Sequence, residues 1–76
     1  MPTLDTVSPS RRCRVTHVTG GHAISQRLME MGLIEGSTIE VVRLAPFGDP
    51  MEVALHGYHL SLRKSEASLV EVEQCN

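Results

Sequence analysis

Tryptophan is absent, and Phe47 and Tyr58 are the only aromatic residues among 76. A surface that stacks single-stranded bases needs several rings, so that mode of binding is excluded. Basic excess is lacking as well: seven Lys plus Arg against nine Asp plus Glu leave a formal charge of −2. Without a cationic footprint the chain is not expected to bind nucleic acid. No apolar run is long enough for a signal peptide or a membrane span, so no direct membrane insertion is expected and a soluble, cytoplasmic protein is. The two cysteines, Cys13 and Cys75, lie near opposite ends with no CxxC spacing. Both are expected to be reduced, Cys13 as a small hydrophobe inside a strand and Cys75 in the C-terminal tail. No GxSxG, P-loop or HExxH pattern occurs, and no nucleophile stands at a recognisable spacing from a base. The chain is therefore not expected to be an enzyme.

What is present is a short-element pattern centred on Arg27 to Gly36, RLMEMGLIEG. Ile24, Leu28 and Met31 fall at helical steps, and Gly32 supplies a left-handed stop. Taking Gly32 as C′ makes Leu28 and Leu33 the apolar pair that accompanies a Schellman ending. Ile34-Glu35-Gly36 then predicts a second tight turn before a strand from Ser37 to Leu44.

An earlier strand is expected over Arg11 to Val18, with Cys13 and Val15 inward and a bulge or strand end at Val18. Ala45 to Pro50, APFGDP, should form a rigid loop. Phe47 within it is either tucked under the loop, the favoured reading, or offered to a partner. Met51 to Arg63 alternates as a hairpin, and glycine at the first central position predicts a II′ turn at Gly57-Tyr58. That register sets His56 opposite His59, Leu55 opposite Leu60, Val53 opposite Leu62 and Glu52 opposite Arg63. A turn of helix opened by Ser65 and a strand over Leu69 to Glu73 complete the pattern. The expected fold is mainly β: a small closed barrel of about five strands, with one short helix between the first two. Residues 1–10 are expected as a loosely packed lead-in, 11–73 as the barrel domain and 74–76 as a polar tail.

Among the four histidines, His56 and His59 are expected side by side on one sheet face, where they could grip one metal ion. Two ligands do not complete a site. A third would come from Glu52, from His22 or from a second chain, and the bland alternative is two surface histidines at a hairpin tip.

The run Leu28-x-x-Met31-Gly32-Leu33-x-x-Gly36, continuing through Ile39 and Val41 to Ala45-Pro46-x-Gly48-Asp49-Pro50, resembles the FeoA family, the small ferrous iron transport protein A of bacteria. Gly57, Leu60-x-Leu62-Arg63, Ala67 and Val70-x-Val72 extend the likeness over about Arg11 to Glu73. The resemblance implies an SH3-like barrel, a cytosolic location at the inner face of the membrane, and a non-enzymatic role beside the ferrous iron transporter FeoB. Met29, Ile34, Phe47 and Asp49, which flank the two rigid turns, are the expected contacts with that transporter's cytoplasmic part. No cofactor is required on this reading. The alternative is a metal-responsive module that binds Fe²⁺ or Zn²⁺ through His56 and His59, and a homodimer is a further candidate state.

Overall fold

The computed structural model describes residues 2–75. Five strands, β1 (Arg12–Val18), β2 (Thr38–Leu44), β3 (Met51–Leu55), β4 (Tyr58–Leu62) and β5 (Val70–Cys75), form one antiparallel sheet in the order β4-β3-β2-β1-β5. Two helices, α1 (His22–Glu30) and α2 (Lys64–Ala67), interrupt the strands. The alternation of β1 is as expected, with Cys13 and Val15 buried between exposed arginines. A register shift against β5 falls between Val15 and His17, which places the irregularity at Thr16 rather than at the strand end.

Side chains from every strand meet in one core: Cys13 and Val15, Ile39 and Val41, Met51, Val53 and Leu55, Leu62, Val70 and Val72, joined by Leu28 and Leu33. The sheet is thus curled around a single interior. Among the described residues no hydrogen bonds close it into the sealed barrel expected, because β4 and β5 end the strand order at opposite edges.

α1 stops as its sequence dictates. Leu33 N–H reaches Leu28 O at 3.1 Å and Gly32 N–H reaches Met29 O at 3.0 Å, the two bonds of a Schellman motif. Gly32 has φ of +104° and both leucines are fully buried. The helix end is therefore folded onto the core.

The hairpin differs from its expected register. Its turn is His56-Gly57, with φ of +51° and +80°, and Leu55 pairs with Tyr58, Ala54 with His59, Val53 with Leu60 and Glu52 with Ser61. Two successive positive φ values identify a type I′ turn, which takes glycine at its second position, and histidine tolerates the left-handed region better than most residues. His56 and His59 consequently do not face each other. The expected helix cap differs too: α2 begins after Arg63, whose backbone N–H donates to Glu66 Oε1 at 3.1 Å, and Ser65 lies inside the helix.

Both chain ends are more ordered than expected. Thr3 bridges to Glu71, Val72 N–H donates to Pro2 O at 3.0 Å, and Leu4 is fully buried, so the lead-in completes the core beside β5. At the other end β5 runs on to Cys75, with Gln74 opposite Cys13 and Cys75 opposite Arg12. Asn76, expected in the tail, lies outside the described residues, as does Met1. Burial pushes the Cys13 thiol up to about 11, with Cys75 adding to the shift, so Cys13 is a packing group and not a nucleophile.

Candidate functional site

The sequence-predicted contact residues divide between the two ends of β2. Seven residues of strand, at about 3.3 Å each, hold these ends roughly 20 Å apart. Met29 and Ile34 therefore lie toward one end of this strand, and Phe47 and Asp49 toward the other.

At the first end, the α1 stop meets the tip of the β3–β4 hairpin. Met29, Ile34 and Tyr58 are each 42–47% exposed. Tyr58 Oη donates to Met31 O at 2.5 Å, and its ring stacks on His56 with centroids 6.4 Å apart. Ser37 Oγ donates to Gly32 O at 3.1 Å and lies 3.5 Å from His56 Nε2. Tyr58 is the residue that sequence reasoning missed here. Glycine at the second turn position is the I′ signal that places Tyr58 in the strand and not in the turn.

At the second end, the Ala45–Pro50 loop closes on itself through Ala45 N–H to Pro50 O at 3.0 Å and Gly48 N–H to Ala45 O at 2.7 Å. Phe47 is 96% exposed, so the tucked position is not adopted. Leu44 beside the loop is exposed as well, and a shallow cleft of about 230 Å³ runs past Leu44, Pro46, Pro50 and Met51. A bare ring on a loop fixed by its own hydrogen bonds has little to reorganise on binding. Asp49, expected to meet a partner, is engaged within the chain, where its Oδ1 accepts Lys64 N–H at 2.9 Å and caps α2.

Of the candidate metal residues, Glu52 on β3 and His59 on β4 lie side by side, whereas His56 is in the hairpin turn and His22 begins α1. Arg43 Nε donates to Glu52 Oε1 at 2.9 Å, and His59 Nδ1 lies 2.9 Å from Glu52 Oε2. The hydrogen bond from Arg43, supported by the guanidinium charge and by His59, holds the Glu52 carboxyl below the usual carboxylate range. Because the folded-state pKa is the depressed one, the link stabilises above the ordinary glutamate pKa and is lost as pH falls through the lower folded value. Arg43→Ala is expected to raise the Glu52 titration midpoint, followed by carboxyl carbon shifts in NMR, and His59→Ala to raise it less. An unchanged midpoint in the arginine variant would show that the pair does not form in solution. His22 opens α1 on the surface, and among the described residues no three His, Cys, Asp or Glu side chains converge.

The FeoA domain model matches residues 3–74. The chain belongs to the FeoA family. The match begins at the bridge residue Thr3, one residue before the buried Leu4. The FeoA protein of Chlorobium tepidum is 36% identical, with a TM-score of 0.90 over 99% of this chain and 71% of that one. A Stenotrophomonas maltophilia FeoA complexed with zinc, described as a prokaryotic SH3 domain protein, is 31% identical, with a TM-score of 0.85 over 96% of this chain and 91% of that one. The fold is thus the SH3-like one, and the family links the chain to ferrous iron transport. An Fe(2+) transport protein A/Fe(2+) transporter FeoB fusion protein of Porphyromonas gingivalis is 39% identical over 59 residues. Those residues are 78% of this chain but 7% of the fusion protein, so the FeoA domain covers a small part of that relative.

Zinc in one relative invites a test of fit in this FeoA domain. His59 and Glu52 are adjacent donors, but one Glu52 oxygen is already held by Arg43 and His56 points to Ser37. A tetrahedral zinc centre needs three or four protein ligands, which this group does not supply within one chain.

Proposed function

We propose that this FeoA domain is a non-enzymatic accessory module of ferrous iron uptake that docks on the cytoplasmic part of a FeoB-type transporter. The fusion of a homologous domain to FeoB in Porphyromonas gingivalis is the observation that carries this reading, since a module joined to a transporter works at its side. On this reading the chain acts in the cytoplasm, at the inner face of the membrane, through its partner. Phe47 is the anchor of the contact. Interfaces gain most of their energy from a few buried aromatic or apolar anchors, and a preordered exposed ring is such an anchor before it is buried.

The test is capture of the transporter's purified cytoplasmic part on immobilised FeoA domain. Phe47→Ala should weaken capture about tenfold or more, the effect expected of an anchor residue, while leaving the unfolding midpoint in place because the ring touches almost nothing. Met29→Asp probes the other end of β2 in parallel. Undiminished capture by both variants would remove both surfaces from the interface.

A further inference from the structure

The two edges of the sheet are treated differently. The β5 edge is covered: Thr3 bridges to Glu71, Val72 N–H is taken by Pro2 O, and the strand carries Glu71 and Glu73. Charged side chains and covering segments are how proteins prevent unwanted pairing at an edge. β4 has neither protection. Its sequence, YHLSL, contains no proline, lysine, arginine or carboxylate, and its pairing with β3 shows no bulge. Among the described residues no segment pairs with its far side.

The hairpin register tells which groups that edge presents. In a two-residue hairpin the residues flanking the turn exchange both backbone hydrogen bonds, and pairs alternate from there. Leu55 and Tyr58 flank the turn, so Tyr58, Leu60 and Leu62 direct N–H and C=O toward β3. His59 and Ser61 direct theirs outward. Both residues are exposed, and Leu60 between them is half-buried.

We propose that β4 pairs with β4 of a second copy of this chain, antiparallel and in register about Leu60, to join two sheets into one of ten strands. This inference is separate from the transporter-docking reading and uses another edge of the molecule. Its support is self-complementarity. A two-fold axis at Leu60 sets His59 opposite Ser61 of the other copy, and Ser61 opposite His59. These are the residues with free outward groups, so four backbone hydrogen bonds form with none left over. Leu60 meets Leu60, and Tyr58 meets Leu62. Beyond the strand, Arg63 falls opposite Gly57 and Lys64 opposite His56, so no two permanent charges of like sign are opposed. A pairing that satisfies every outward group and sets no such charges against each other is what an isologous contact requires.

The test is sedimentation equilibrium of the full chain from about 1 μM to about 1 mM, the range in which a small interface is populated. The average mass should rise from one chain toward two. Ser61→Pro removes an outward N–H that β3 does not use, a change an edge strand accommodates. The His59→Lys/Ser61→Lys double variant sets lysine against lysine in both hydrogen-bonded pairs and alters only exposed positions. Each variant should stay at one chain throughout that range, with circular dichroism unchanged. If Ser61→Pro unfolds, the lysine variant decides alone. A wild type that remains one chain at the highest concentration overturns the proposal, as does a dimer that persists in the lysine variant.

Discussion

Replacing Gly32 by valine is expected to remove about 3 kcal/mol or more of folding stability, seen as a lower urea midpoint at unchanged slope. Two independent costs combine. The backbone φ of +104° lies where a β-branched residue is strained, a cost of roughly 1–3 kcal/mol. A Cβ there would stand 2.7 Å from Tyr58 Oη, 3.2 Å from Leu55 Cδ1 and 3.3 Å from His56 Cδ2, and overpacking of this kind costs about 1–3 kcal/mol more. Tyr58 cannot swing away freely, because its hydroxyl is bonded to Met31 O. The clash and the strain are separable: Gly32→Ala combined with Tyr58→Phe should lose less than the sum of the two single variants. A Gly32→Val midpoint equal to wild type would refute this account of the hinge.

Leu4→Ala is expected to cost about 2–5 kcal/mol, the range for truncating a fully buried leucine. The size of the effect is informative, since an apolar residue in a loosely packed lead-in would cost about 0.5 kcal/mol or less. Leu4 instead belongs to the main core and sits on a single 3-10 turn, Leu4–Thr6. Thermal unfolding of the variant distinguishes the two cases, and a melting temperature within about a degree of wild type would return residue 4 to the lead-in. In so small a domain, such a loss is a large part of the total stability.

The contrast between these residues shows what is legible in the sequence. Gly32 is legible because its neighbours repeat at helical spacing, so both the stop and the leucine pair follow from local chemistry. Leu4 is not, because a lone leucine among polar residues has no period. Its burial depends on a space left beside β5 and α2, elements more than 50 residues away. The hairpin lies between these cases. The expected and observed pairings differ by two residues on β4, a shift that leaves every side chain on its own face. Apolar meets apolar in both, so alternation alone cannot choose between them; the left-handed His56 decides.

Exposure of the proposed contact residues is legible in the sequence, and their spacing in the fold is less so. Phe47 and Ile34 are both exposed, as partner contacts must be, yet β2 holds them apart. Asp49 and the four-residue helix look unrelated in the sequence, although one caps the other across 15 positions. For Glu66 the local signal covers only its place three residues after the N-cap of α2, and not its long-range partner. It is nearly buried, paired with Arg27 and bonded to the Arg63 backbone, and nothing near either partner announces a contact 39 residues apart.

The Lys64 amide proton is held by the Asp49 side chain, which moves with the Phe47 loop, so its rate of exchange with deuterium follows the opening of that loop. The chain thereby carries, outside the candidate interface, an internal gauge of whether the loop is open or held.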